Sequence, residues 1–396
     1  MTSDARPPAG LLRSMVNRTA AEDHRPSSPL ELFFDLCFVV AIAQAANGLH
    51  HTLDENHVGQ GFLGFALVFF GIWWAWVNFT WFASSYDNDD PLYRLAVFVQ
   101  VAGVLVLAAG TPRAFADRDF GVVVLGYVIM RLALVSLWLR AARDDPARRT
   151  TDLRYAGGIV VLQLCWIGLL ALPDGWTVPA FLVLAVAEMS VPVFAERAEP
   201  LGWHPGHIAE RYGLFTIIVL GESVLSATLA IQEALDAGSA LADLIAVALS
   251  ALMIVCSMWW VYFDQRSEQF MEQVRRQFDR GATFRSFLWG YGHYFVFTAA
   301  AAVGGGIAVV VDQTLHHAEI SATAAALSVA VPAAVYVMAV WALHLRGDVR
   351  RPGSWRYPLA ACCIVGAAAV GLPVLATGVS MVVLVLSTLV PRWRCP

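Results

Sequence analysis

No lysine occurs anywhere in the 396 residues, and all 26 basic residues are arginine. Charge of either sign is scarce, at 14% of the chain, against 58% hydrophobic residues and a mean hydropathy of +0.61. That balance is too apolar for a water-soluble domain, so a soluble core is excluded. The long apolar runs lack period-two alternation, which excludes a barrel of membrane-spanning strands. Six cysteines are present without redox or zinc spacing, so they read as free thiols. There is no serine-hydrolase elbow, no zincin motif and no Walker sequence, and Gly304-Gly305-Gly306 is not followed by the lysine of a phosphate loop. ATP-driven work is therefore unsupported, and no catalytic residue, cofactor or metal is assigned. A net charge of −5 makes nucleic acid a poor partner.

What is present is a series of runs long enough to cross a bilayer, which takes about 20 apolar residues each. Twelve begin near residues 31, 58, 92, 120, 156, 177, 212, 241, 285, 321, 357 and 374. In lipid every backbone polar group must be satisfied internally, so these runs predict an all-α integral membrane protein of about 12 transmembrane helices.

The arginines orient it. With the N-terminus cytoplasmic, 23 of the 26 fall in inner segments and only Arg113 and Arg118 in outer loops, while Arg131 lies inside a helix. That asymmetry predicts a multi-pass protein of the plasma membrane with both termini cytoplasmic and with anionic lipid head groups as partners. The polar, Pro- and Ser-rich start reads as a disordered cytoplasmic tail over 1–29.

Landmarks recur in order. Glu31 opens the first helix as Glu210 opens the seventh, and Trp73-Trp74 in the second answers Trp259-Trp260 in the eighth. Tyr93-Arg94 and Phe284-Arg285, Trp138-Leu139-Arg140 and His344-Leu345-Arg346, and Arg154-Tyr155 and Arg356-Tyr357 complete the series. This predicts two parallel six-helix repeats: a first half over 30–195, a linker over 196–210, a second half over 211–391 and a cytoplasmic tail over 392–396.

Charges at membrane depth cost about 2.5 to 3.5 kcal/mol each on insertion scales, so each needs a reason. The buried candidates are Asp35, Arg131, Glu188 and Glu222. One acid is expected to pair with Arg131, leaving at least one carboxyl to bind a proton or cation. Asp35 lies one turn above Glu31, which itself suits the helix N-terminus after Ser27-Ser28-Pro29. Asp87, Asp89 and Asp90 precede Arg94 at the inner mouth and form with it, Glu31 and Glu210 an expected charge cluster, or a metal-binding loop without the spacing of a calcium site. The run from Trp73 to Trp81 reads first as an interfacial belt, and alternatively as a path lined by Trp74, Trp81 and Tyr86. His50, His51 and His57, with Asp54 and Glu55, and His316 and His317 read as solvated outer-loop residues, with a transition-metal site as the minority reading.

Three stretches together resemble the bacterial low-temperature-requirement protein A (LtrA) family over about residues 26 to 390: Glu31-Leu-Phe-Phe-Asp35 with the following Cys-Phe-Val-Val-Ala-Ile-Ala, the Trp-rich helix ending Tyr86-Asp-Asn-Asp-Asp90, and Glu210-Arg-Tyr-Gly-Leu-Phe-Thr-Ile-Ile-Val-Leu-Gly-Glu222-Ser. Cys37 stands where an aliphatic residue is expected. The family is named for a cold-growth phenotype, so the resemblance implies a fold and a membrane rather than a substrate. A fainter likeness joins Phe34-Asp35 to a two-times-six-helix potassium channel family, but the serine of its Phe-Ser-Asp is missing here.

The leading expectation is a proton- or cation-coupled secondary transporter of a small solute. Glu222 and Asp35 carry the coupling ion in that scheme, and Arg131 is counter-ion or solute anchor. The rivals are a cation channel, an inner-leaflet lipid-modifying enzyme or membrane cold-adaptation factor, and a scaffold with structural charges only.

Overall fold

The computed structural model describes residues 12–18, 26–86, 88–236, 241–264, 283–345 and 353–389. Asp87, the 392–396 tail and most of the 1–29 tail lie outside them. Among the described residues every regular element is helical. The helices are α1 (Pro29–Asp54), α2 (Val58–Tyr86), α3 (Pro91–Ala116), α4 (Gly121–Asp144), α5 (Arg149–Leu169), α6 (Asp174–Ala195), α7 (Pro205–Asp236), α8 (Leu241–Phe263), α9 (Thr283–Thr314), α10 (Ala322–Val340), α11 (Arg356–Ala369) and α12 (Val374–Leu389). A π-turn, Trp341–Leu345, continues α10. Among the described residues nine of these helices, α1 to α6 and α8 to α10, are long and apolar enough to cross a membrane by length and composition.

Local chemistry starts several of them. Ser28 and Glu31 form a capping box on α1: Glu31 N–H donates to Ser28 Oγ at 3.3 Å, and Ser28 N–H donates to Glu31 Oε2 at 2.7 Å. Asp90 caps α3 by accepting from Tyr93 N–H at 2.9 Å, with Pro91 at the first helical position. Ser321 does the same for α10 through Ala324 N–H at 3.2 Å.

The chain divides into two compact units, Met1–Ala41 with Phe70–Arg211, and Ile42–Phe69 with Tyr212–Pro396. In the first, α3 packs on α4, α4 on α5 and α5 on α6. Contact between α3 and α4 is at backbone distance: a Cβ on Gly126 would lie 2.4 Å from Leu107 N and 2.6 Å from Gly103 O. Small residues permit that approach where lipid supplies no hydrophobic drive between helices.

In the second unit α9 packs on α10 and α8, α10 on α11, α11 on α12 and α12 on α8. Gly304, Gly305 and Gly306 serve helix packing. A Cβ on Gly304 would sit 3.0 Å from Ser223 Cα of α7, one on Gly305 2.9 Å from Ala46 O of α1, and one on Gly306 2.5 Å from Ser328 O of α10. Three consecutive glycines thus admit three different helices around α9.

Residues 12–18 depart from the expected disorder of the 1–29 tail. They form no helix or strand, and the alternate backbone N–H groups of Arg13, Met15 and Asn17 donate to the carboxylates of Asp90, Asp144 and Asp145 at 3.0, 3.1 and 3.0 Å. Asn17 also exchanges two bonds with the backbone of Gly202, and Met15 is fully buried. The acids at the ends of α2 to α4 supply acceptors that composition alone does not reveal.

Candidate functional site

Two buried carboxylate centres lie in the first unit. The first joins the start of α1 to the start of α7. Arg211 donates from Nε to Asp35 Oδ2 at 2.8 Å and from Nη2 to Asp35 Oδ1, a bidentate fork. Trp76 Nε1 donates to Asp35 Oδ1 at 2.7 Å. Arg211 Nη1 lies 3.1 Å and His207 Nε2 3.0 Å from Glu31 Oε1, while the other oxygen of Glu31 stays in the capping box. Glu31, Asp35, His207 and Arg211 are all fully buried. His207 and Arg211 are four residues apart, so α7 presents both on one face to α1.

The second centre is Glu188 of α6. Its Oε1 accepts from Tyr127 OH at 3.2 Å, Gln163 Nε2 at 3.3 Å and Trp166 Nε1 at 3.1 Å. Its Oε2 accepts from Trp74 Nε1 at 3.0 Å and from Arg131 Nη2 at 2.5 Å. Helices α2, α4, α5 and α6 therefore converge on one fully buried carboxylate. Arg131, 1% exposed, uses only that nitrogen: its Nε and Nη1 have no hydrogen-bond partner among the described residues. Trp74 and Trp76 serve different centres because residues two apart on a helix point roughly 200° apart.

The expected intramembrane residues thus divide. Arg131 pairs with Glu188, and Asp35 pairs with Arg211, one of the arginines that the positive-inside asymmetry assigns to the inner segments. Glu222 belongs to the second unit, where it is buried at 2% exposure. The expected inner-mouth cluster resolves into separate pairs. Arg94 holds Asp89 at 2.8 Å through both carboxylate oxygens, Arg140 clamps Asp90, and Glu210 accepts from Ser27 N–H at 3.4 Å. The Arg94 guanidinium lowers the Asp89 carboxyl pKa. Burial opposes ionisation of Asp90, but the Arg140 guanidinium and the N–H groups of Tyr93 and Arg13 outweigh it and hold that carboxyl well below the usual range.

The tryptophans are not an interfacial belt: Trp73, Trp74 and Trp76 are 1% exposed or less, and two of them donate to the acids. Trp81 packs against Trp203, with ring centroids 4.7 Å apart. Tyr86 OH donates to Asp152 at 3.0 Å. Near the linker, burial pushes the Glu196 carboxyl up to about 7, although Tyr155 OH donates to it at 3.0 Å.

The sequence assigns neither His207, Arg211 and Trp76 to the first centre nor Tyr127, Gln163 and Trp166 to the second. The four-residue spacing of His207 and Arg211 was the available signal for the first, and the amide of Gln163 within an apolar run for the second.

Buried acids held by arginine inside long apolar helices define a multi-pass helical membrane protein. Residues 26–390 match the bacterial low temperature requirement A protein (LtrA) family, and the chain belongs to it. An uncharacterized protein of Rhizobium meliloti (strain 1021) is 28% identical over 308 residues, covering 74% of this chain and 71% of that protein. No solved structure matches.

Proposed function

We propose that the chain is a proton- or cation-coupled secondary transporter of a small solute in the plasma membrane. All twelve helices cross in this reading, as two parallel six-helix repeats with both termini cytoplasmic and lipid as the surrounding partner. The observation that carries it is a titratable imidazole seated on a buried carboxylate: His207 Nε2 and Arg211 Nη1 approach the same oxygen of Glu31, at 3.0 and 3.1 Å, and Arg211 also forks onto Asp35. A proton or cation gained or lost there changes the charge of a buried centre, which is costly unless its neighbours rearrange, so occupancy by that ion is tied to the state of α1 and α7.

Arg131 is the solute anchor in this scheme, since two of its buried nitrogens have no acceptor among the described residues and suit an anionic group. Glu188 orients it. Glu222 is a further ion-binding acid in the second unit, and Trp74, Trp81 and Tyr86 are the aromatics assigned to the path. The lipid-enzyme reading loses support, because Asp89 and Asp90, which it needs for a divalent metal, are each engaged by an arginine.

The test is a pH jump applied to proteoliposomes adsorbed on a solid-supported membrane. The parent is expected to give a transient charge displacement that His207→Gln and Asp35→Asn abolish. A displacement unchanged in both variants sinks the assignment, and a steady current without added solute replaces the carrier with a channel.

A further inference from the structure

The second unit brings together four metal-ligating side chains that neither the family match nor the transport reading uses. His50 and Asp54 are four residues apart near the end of α1 and share a face, with His51 between them in sequence. Asp312 comes from the last turn of α9. His50 Nε2 lies 2.7 Å from Asp312 Oδ2 and 2.9 Å from Asp54 Oδ2. The His51 ring stacks on His50, with centroids 5.0 Å apart, and the ligating atoms of His50, His51 and Asp54 all fall within 4.8 Å of one another. The turn after α9 is tied to the same place: Glu319 N–H donates to Asp54 O and His317 N–H to Asp312 O, both at 2.8 Å.

A structural Asp–His–Asp bridge accounts for His50 alone. It leaves two carboxylates against one imidazole, a net negative charge at side chains only 14% and 17% exposed. It also leaves Asp54 Oδ1 buried without a hydrogen-bond donor among the described residues, and gives His51 no task. A divalent cation resolves all three, with neutral imidazoles and two carboxylates summing with it to zero. Ligand atoms around a tetrahedral ion with bonds of about 2.0 Å stand about 3.3 Å apart, so His50 and the two carboxylates need to spread by roughly half an ångström. Mixed imidazole and carboxylate donors suit zinc and its first-row neighbours and are poor for calcium or magnesium.

We propose that His50, His51, Asp54 and Asp312 form a divalent transition-metal site that clasps the end of α1 to the end of α9. It is independent of the coupling centre, and on the proposed topology it faces the outside of the cell.

The probe is zinc alone, titrated into the metal-stripped, tag-free full chain in detergent, with the affinity read by competition against a chromophoric chelator. One zinc per chain is expected. Affinity falls at least about tenfold in Asp312→Asn and His50→Gln, the low end of the loss seen even for outer-shell partners. His57→Gln, whose ring is 60% exposed, leaves it unchanged. Cobalt(II) in place of zinc gives visible d–d bands that the two site variants lose. Absence of stoichiometric zinc in the parent, or equal affinity in parent, Asp312→Asn and Asp54→Asn, overturns the site. Since both aspartate variants are near-isosteric and each alone tests it, a folding failure of His50→Gln leaves the question decidable.

Discussion

At the residue scale the two arginine–carboxylate pairs are built unequally. Arg211 is surrounded by two acids and a histidine, whereas Glu188 is surrounded by donors. Removing one partner of a buried ion pair costs about 3 to 5 kcal/mol, mostly for the charge left behind. In Arg131→Met the remaining carboxylate keeps four neutral donors, which bounds the cost near that range. In Glu188→Leu the guanidinium loses its acceptor and Trp74, Tyr127, Gln163 and Trp166 lose theirs, each unmade bond adding about 1 to 3 kcal/mol. Thermal unfolding of the purified protein in detergent is therefore expected to rank Glu188→Leu as clearly the less stable of the two. An equal or reversed ranking would show that the donor ring contributes little.

Among the elements, the α3–α4 pair is the most demanding, because its spacing is set by glycine backbone rather than by side chains. Gly126→Leu forces α4 away from Leu107 and Gly103, and overpacking of this kind costs about 1 to 3 kcal/mol or more. Gly59→Ala, with nothing within 4 Å of the added carbon, is expected to melt with the parent. Equal melting temperatures for the two variants would contradict the close approach. The all-helical class was legible in the sequence because long apolar runs encode it, and several helix starts with it, as those at 58, 241 and 374 illustrate. Where a helix opens with polar residues the apolar run begins late. The fifth was expected near 156 and starts at Arg149, and the seventh near 212 and starts at Pro205. That second displacement hid the first centre. A helix opened by Glu210 with its apolar run from 212 leaves His207 in the linker, whereas one beginning at Pro205 puts His207 and Arg211 on one buried face. The Arg131–Glu188 pair was half legible, because both residues stand alone in apolar runs. The donors from α2 and α5 were not, since nothing in a linear pattern tells which helices are neighbours.

For the whole molecule, the segment 12–18 couples parts of the first unit that are far apart in sequence. It bonds to Asp90 before α3, to Asp144 and Asp145 at the end of α4 and to Gly202, where a Cβ would strike Arg18 O at 2.3 Å. Deleting residues 1–18 removes the buried side chain of Met15, worth about 1.5 to 3 kcal/mol, and the hydrogen bonds around it. The truncated chain is expected to insert but to melt several degrees lower, a drop of the size that about 2 kcal/mol produces in a domain of this length. Full retention of the melting temperature would reduce the segment to a passenger.

The same segment has a bearing on biogenesis. It is made before its partners, since Asp90, Asp144, Asp145 and Gly202 emerge between roughly 75 and 185 residues later. The leading stretch therefore waits beside the translocon while six helices are delivered, and it seats only when the linker after α6 has been synthesised. A ribosome stalled before residue 202 leaves the backbone of residues 12–18 without its bonds to Gly202, and the stretch is then cut faster by a protease than in the finished protein.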